Sequence, residues 1–111
     1  MKIPSDAIIP ESKLTEYLLV LQPKNDKSKF LAQAGFTLDN PADLLAAIRS
    51  IIASNEAIID RTDEYGTFYE VTGVLIAVNG IDLGVVTIWL QRQQDDKFRF
   101  VTLIPSQKPQ L

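Results

Sequence analysis

The chain has 111 residues, enough for one domain, and its 46% hydrophobic and 23% charged residues are typical of a globular protein. It contains no cysteine and no histidine, which excludes disulfides, thiolate nucleophiles, zinc ribbons and the commonest general base. Any catalysis must therefore use carboxylates, lysine, arginine, tyrosine or hydroxyl groups. The net charge of −3 argues against a nucleic-acid partner unless the 11 lysines and arginines cluster on one side.

The sequence offers no sign of export or membrane insertion. Its first residues contain neither an apolar core of signal-peptide length nor a small-residue cleavage site. The longest apolar run, near residues 74–78, is too short to span a bilayer. We therefore expect a cytoplasmic protein with one domain over residues 1–111, without a membrane segment, a cofactor or a metal. The acidic residues Asp60, Asp63 and Glu64 lack EF-hand spacing and favour a solvated turn.

Residues 11–54 form a helical first half. A first helix is predicted over residues 11–21. Its apolar stripe consists of Leu14, Tyr17, Leu18 and Leu21. A short helical turn is predicted within residues 27–36, where Gly35 is suited to a left-handed cap.

The strongest helix signal follows Asn40, which is a preferred N-cap residue. Pro41 suits the first helical position, and Asp43 lies where the helix dipole favours an acid. The predicted helix ends near residues 54–55. Its buried face is predicted to contain Leu44, Leu45, Ile48, Ile51 and Ile52.

Residues 57–104 change to an extended pattern. The predicted strands are residues 57–62, 67–78, 81–92 and 97–104, with a turn at 63–66 and a loose tail at 105–111. Asn79-Gly80 is a strong signal for a two-residue hairpin, and Gln94-Asp95 is interpreted as a second one. The sequence therefore predicts an α+β fold with two or three helices on one face of an antiparallel meander of about four strands.

If both hairpins have two-residue turns, the register of the strands assigns each side chain to one of two sheet faces. A shift of the register by one residue would exchange the faces. The apolar face, expected to receive the helices, consists of Tyr69, Val71, Leu75, Val86, Ile88, Leu90, Val101 and Leu103. The mixed face consists of Phe68, Glu70, Thr72, Thr87, Trp89, Gln91, Phe98, Phe100 and Thr102. In this register Thr72, Thr87 and Thr102 form a row across three strands.

The mixed face allows three interpretations. It suits a groove for a planar or polar ligand. It also fits the general preference of threonine and aromatic residues for strands, with no functional meaning. The third interpretation is a homodimer formed through Trp89 and Phe100, since aromatic residues are enriched at protein interfaces.

Basic residues provide the other candidate chemistry. Lys27 and Lys29, with Lys24 nearby, could grip a phosphate, although solvated surface lysines have the same pattern. A second set, which could approach the sheet from its turns and edge, consists of Arg61, Tyr65, Arg92 and Arg99. An arginine there could stabilise developing phosphoryl charge, and Tyr65 could orient a reacting hydroxyl. Arg92 could equally pair with a nearby aspartate.

Short motifs along the chain resemble those of a family of small uncharacterised bacterial proteins that begin Met-Lys-Ile-Pro. The matching elements are Met1–Pro4, Lys27–Phe30 with Gly35, Asp63–Gly66, Thr87–Trp89 and Val101–Thr102. The match covers nearly the whole chain.

The order of elements is also similar to that of toxin ribonucleases of the barnase, EndoU and RelE-like group. This resemblance implies two helices ahead of an antiparallel sheet and cleavage of RNA on the exposed sheet face. It implies Lys29 and Thr102 as catalytic residues. Arg61, Tyr65 and Thr87 are implied in support. The absence of histidine and the acidic charge depart from that group's pattern.

Three hypotheses remain open at this point, and whether the protein is an enzyme is among the open questions. The protein is a ribonuclease-like toxin component that binds RNA, a non-catalytic partner of the antitoxin or immunity type, or a homo-oligomeric structural protein. The first requires Lys27, Lys29, Arg61 and Arg99 to gather around Thr102.

Overall fold

Within residues 1–106, which the computed structural model describes, three helices precede a four-stranded antiparallel sheet. The helices are α1 (Glu11–Lys13), continued by a π-helical turn (Leu14–Leu18), α2 (Ser28–Ala32) and α3 (Pro41–Ser54). The strands are β1 (Ile58–Asp63), β2 (Gly66–Leu75), β3 (Leu83–Arg92) and β4 (Phe98–Pro105), in the spatial order β1-β2-β3-β4. The predicted α+β class and the meander are confirmed.

Helix α3 is the main contact between the helices and the sheet. Its buried side chains lie against β2 and the rest of the core, as predicted, except that Leu45 is only half-buried. Gly73 of β2 allows the close approach, because a Cβ there would lie 2.8 Å from Cγ2 of Ile51 and 2.9 Å from Nδ2 of Asn55. The helices therefore cover one face of the sheet.

The helix ends differ from the prediction in two places. After Lys13 the first helix widens into the π-helical turn and ends at Leu18, so Leu21 lies beyond it and is 65% exposed. Asn40 precedes α3 as predicted, but its side chain does not cap the helix. Its Oδ1 accepts a hydrogen bond from the Thr37 amide at 2.8 Å, and its Nδ2 donates to the Gly35 carbonyl. Gly35 has the predicted left-handed conformation, with φ of +86°.

The prediction of a two-residue hairpin at Asn79-Gly80 is wrong. Strand β2 ends at Leu75 and β3 begins at Leu83, so residues 76–82 form a loop. This loop binds the turn that follows α2 instead of continuing the ladder of β2 and β3. The Val78 amide donates to the Ala34 carbonyl at 3.0 Å, and the Asn79 side-chain amide donates to the Gln33 carbonyl at 2.9 Å.

The longer loop changes the register of β2 and β3 by one residue, so that Val71 pairs with Thr87 and Tyr69 with Trp89. The two faces of β3 are therefore exchanged, and Val86, Ile88 and Leu90 face away from the helices. Trp89 and Phe100 are 0% exposed in the core, where their rings meet edge to face at 5.3 Å. The predicted dimer surface through these two residues is wrong, because neither side chain reaches the surface.

The second hairpin has the predicted register near its turn, where Trp89 pairs with Phe100. The predicted two-residue turn at Gln94-Asp95 is wrong, because β3 ends at Arg92 and β4 begins at Phe98. A bulge at Val101 then shifts the register, so that Ile88 faces Thr102 and Thr87 faces Leu103. The predicted Thr72–Thr87–Thr102 row is therefore wrong. Strand β4 also extends to Pro105, and the Ser106 amide donates to the Gly84 carbonyl, so the predicted loose tail does not begin at 105. The rest of that tail, residues 107–111, lies outside the described part of the chain.

The two edges of the sheet differ. Ile8 forms a parallel bridge with Arg99, donating to the Phe98 carbonyl at 2.9 Å and accepting from the Phe100 amide at 2.8 Å. This segment covers part of the β4 edge. Strand β1 is exposed at five of its six residues.

Of the helices in residues 1–106, none has the length and apolar character needed to cross a membrane.

Candidate functional site

The sheet face turned away from the helices carries the candidate site, and we call it the open face. Strand alternation assigns side chains to it, because the buried residues Tyr69, Val71, Thr87 and Trp89 point to the helices. Its apolar floor includes Phe68, Val86, Ile88 and Leu90, and the exposed residues Ile58, Val74 and Ile104 lie on the same face. Its polar residues are Arg61, Glu70, Thr72, Arg99 and Thr102.

Two neighbouring rows cross the open face. In the first, Glu70 pairs with Ile88, which pairs with Thr102. In the second, Phe68 pairs with Leu90, which pairs with Arg99. Adjacent strands are about 4.8 Å apart, so Glu70 and Thr102 lie roughly 10 Å apart across Ile88. An acid, a hydroxyl and a guanidinium therefore surround an apolar centre.

Arg99 differs from the other arginines of this region. Its Nε is buried and has no hydrogen-bond partner among the described residues, and none of the ion pairs within residues 1–106 includes it. A buried donor without an acceptor costs about 1–3 kcal/mol. Because the Nε itself is buried, an anion on the open face would bind the two outer nitrogens of the guanidinium, which also have no acceptor among the described residues.

Arg61 and Arg92 already have acidic partners. Arg61 lies over the Phe68 ring at 4.2 Å and pairs with Asp60 at 3.1 Å. Arg92 pairs more loosely with Asp95, at 3.7 Å. Arg61 therefore belongs to the open face, at the β1 end of the Phe68 row, but part of its charge is balanced.

Thr102 is half-buried on the open face, as its predicted role requires. Its hydroxyl has one weak hydrogen bond, to the Leu103 carbonyl at 3.4 Å. Thr87 is different, because it is 0% exposed on the covered face. Its hydroxyl donates to the Val71 carbonyl at 2.9 Å and accepts the Trp89 indole N–H at 2.8 Å. Thr87 is therefore fully used in the core and does not join the other candidates.

Lys29 is exposed on α2, in the helical half of the chain. In residues 1–106 no hydrogen bond or ion pair joins its amine to the other candidates. Its backbone amide donates to Asp26 at 3.3 Å, which fixes the first turn of α2. The hydroxyl of Ser28, followed by the amides of Gln22 and Lys29, lowers the pKa of Asp26 to about 2. The carboxylate is therefore ionised at neutral pH and anchors the helix that carries Lys29.

Tyr65 lies in the turn between β1 and β2 and is 66% exposed. It lines a cleft of about 480 Å³ with Leu90 and Arg92, at the edge of the open face. The structure therefore brings Arg61, Tyr65 and Thr102 to the open face or its edge. It buries Thr87 on the opposite face.

Lys27, whose Nζ lies 3.5 Å from the Tyr17 hydroxyl, and Lys29 are in the helical half. The gathering of Lys27, Lys29, Arg61 and Arg99 around Thr102 that the ribonuclease hypothesis requires is therefore not observed.

Sequence reasoning did not select Glu70, and it treated Arg99 only as one of several arginines. The correct register would have put Glu70 and Thr102 in one row, but the Asn79-Gly80 signal pointed to another register. The unpaired guanidinium of Arg99 has no sequence signal, because its surroundings include residues distant in the sequence, such as Ile8, which pairs beside it. Among the described residues, no group of three or more acidic side chains could hold a metal ion.

Comparison with solved structures finds a similar fold. One chain of a contact-dependent growth inhibition toxin–immunity protein complex from Klebsiella pneumoniae 342 matches with a TM-score of 0.70. The match covers 94% of this chain and 97% of that chain, at 17% sequence identity. An identity this low indicates a shared fold only. No curated protein matches the chain. The family model of a domain of unknown function, DUF6883, matches residues 3–107, and the chain therefore belongs to that family.

Proposed function

We propose that the protein is the toxin component of a toxin–immunity pair and that it cleaves RNA on the open face. The observation that carries this proposal is Arg99, whose guanidinium has no acceptor within residues 1–106 and lies in the row next to Glu70 and Thr102. The fold shared with a chain of a toxin–immunity complex supports the class of system.

The chemistry of such a site needs no histidine. The Glu70 carboxylate would accept the proton of a ribose 2′-hydroxyl, whose oxygen then attacks the adjacent phosphorus. The bond from phosphorus to the 5′-oxygen breaks, and this oxygen takes a proton from water, leaving a 2′,3′-cyclic phosphate and a 5′-hydroxyl. Arg99 stabilises the charge that develops on the phosphoryl oxygens. Thr102 donates a hydrogen bond that orients the phosphate.

The other predicted residues have supporting roles in this proposal. Arg61 adds positive charge at the far end of the Phe68 row. Lys29 remains a proposed contact for a more distant phosphate, on the resemblance to toxin ribonucleases. Thr87 is left out, because its hydroxyl is buried and already has two hydrogen bonds.

The test is incubation of the purified protein with total bacterial RNA, followed by analysis of the product ends. Glu70→Gln is expected to reduce cleavage by about 10²–10⁴-fold, as for loss of a general base. Arg99→Gln is expected to reduce it by roughly 10²–10³-fold, as for loss of a charge-stabilising donor. Thr102→Val and Lys29→Ala complete the set.

Two matched controls accompany these variants. Lys13→Ala changes a half-buried lysine of α1, and Thr15→Ala removes the hydroxyl of a half-buried residue, which bonds the Glu11 carbonyl. Both controls should cleave like the wild type. If Glu70→Gln and Arg99→Gln also cleave like the wild type, the open face is not the catalytic site. Intact RNA with every protein would refute the ribonuclease function.

A second candidate function is that of the immunity component. It is favoured by the net charge of −3 and by the exposed edge of β1, where Ile58 and Ile59 are 69% and 62% exposed. An exposed edge strand can pair with a strand of a partner. Expression in a bacterial host separates the two functions. A toxin arrests growth and Arg99→Gln relieves the arrest, whereas an immunity protein is harmless and binds the product of an adjacent gene.

A further inference from the structure

The cleft beside the open face has the chemistry of a specific binding site. It lies where the β1–β2 turn and the β3–β4 turn meet. Its volume is about 480 Å³, and it is lined by Glu64, Tyr65, Leu90, Arg92, Gln93 and Gln94. Its lining combines an aromatic ring, an apolar floor, two side-chain amides, an acid and a guanidinium.

The two turns are fixed to each other, so the cleft is largely formed before a ligand arrives. The Gln93 amide donates to the Tyr65 carbonyl at 3.0 Å. Gly66 pairs with Arg92 and has φ of +142°, and a Cβ at Gly66 would overlap the Gln91 carbonyl oxygen. This contact explains the glycine after Tyr65, because it lets the two backbones approach. A preformed site loses less conformational entropy on binding.

The individual groups favour a flat ligand with a polar edge. The Tyr65 ring is 66% exposed and available for stacking. The Gln93 side chain has no hydrogen-bond partner among the described residues, whereas Oε1 of Gln94 accepts from Arg92 at 3.1 Å. Stacking on an aromatic ring with hydrogen bonds to the ligand edge is the usual mode of binding an unpaired nucleobase.

The cleft is also continuous with the proposed catalytic residues. Leu90 forms its floor, and Leu90 is paired directly with Arg99 across β3 and β4. A phosphate bound at Arg99 would therefore have an adjoining nucleotide within reach of Tyr65. We propose that this cleft binds one nucleobase of the RNA substrate, with Tyr65 stacking on the base and Gln93 and Glu64 bonding its edge. This inference rests on the proposed function.

The binding test uses amide NMR titrations with the four nucleoside 5′-monophosphates, and with ribose 5-phosphate as a probe that lacks the base. The amide signals of Tyr65, Gln93 and Gln94 should shift with at least one nucleotide and should not shift with ribose 5-phosphate. Tyr65→Ala should weaken nucleotide binding by roughly tenfold or more. Gln93→Ala should change the preference among the four bases, and Gln33→Ala, an exposed residue directly after α2, should not. Equal shifts with ribose 5-phosphate, or wild-type affinity in Tyr65→Ala, would overturn the inference.

An RNA cleavage assay on the same variants separates this inference from the proposed function. Loss of the subsite should raise KM and change the cleavage pattern in Tyr65→Ala while kcat is affected less. If Tyr65→Ala cleaves the same sites with the same KM as the wild type, the subsite is refuted and the ribonuclease function stands. If nucleotides bind the cleft but no protein cleaves RNA, the catalytic function fails and the base-binding site stands.

Discussion

The two faces of the sheet use the same kinds of residue in different ways. On the covered face the Thr87 hydroxyl donates a hydrogen bond to the Val71 carbonyl and accepts one from the Trp89 indole N–H. On the open face Thr102 has one weak bond, and Nε of Arg99 has no partner among the described residues. The comparison teaches that residue type alone does not identify a functional group. A polar group that the fold leaves unsatisfied is better evidence.

The largest expected difference between the faces concerns two adjacent residues of β3. Trp89→Ala should lower the free energy of unfolding by about 3–5 kcal/mol, because it empties a fully buried site against Phe100. Ile88→Ala, on the open face, should cost only about 1 kcal/mol, because Ile88 is half-buried. Urea unfolding of both variants measures this difference. Equal losses would mean that the two faces are equally packed, contrary to the structure.

Two strand glycines provide a second comparison. Gly73→Ala should destabilise the protein by about 1–3 kcal/mol, because the new methyl group overlaps Ile51, which α3 holds in the core. Gly84→Ala should be neutral or stabilise by up to about 1 kcal/mol, because the nearest atom is the Ser106 Cβ at 3.5 Å and the unfolded chain loses freedom. Thermal unfolding of both variants provides the measurement. A destabilised Gly84→Ala would show that the open face is covered.

The smallest expected difference in stability is between variants of Thr87 and Thr102. Thr87→Val should lower the free energy of unfolding by about 1–2 kcal/mol, because it leaves the buried Trp89 N–H without an acceptor. Thr102→Val should leave stability within about 0.5 kcal/mol, because its hydroxyl has only one weak bond. Chemical denaturation measures both values. RNA cleavage should show the reverse order, with a larger loss in Thr102→Val than in Thr87→Val. A strongly destabilised Thr102→Val protein would contradict the assignment of Thr102 to the open face.

Much of the fold could be predicted because its signals are local. The bounds of α3 follow from Pro41 and the helical spacing of its apolar residues, and both features act within a few residues. The second hairpin kept its predicted register near the turn for the same reason. Gly35 also has its expected conformation, because glycine adopts a positive φ without the steric cost that other residues have.

The faces could not be predicted because a distant contact determines the first hairpin. Val78 and Asn79 bond to the turn that follows α2, which removes both residues from the hairpin that Asn79-Gly80 favours locally. This single change in loop length exchanged the faces of β3 and moved Trp89 into the core. The bulge at Val101 then separated Thr102 from Thr87. Errors in the predicted site therefore follow from tertiary contacts, whereas Arg61 and Thr102 remained on the proposed face.

The bridge between Ile8 and β4 has a kinetic consequence. It joins residues near the two ends of the chain, because Ile8 bonds to Phe98 and Phe100. Contacts between such distant residues slow folding, since almost the whole chain must be ordered to form them. During synthesis, Ile8 has no partner until β4 leaves the ribosome. We therefore expect the segment beside Arg99, and with it the proposed anion site, to form late in folding.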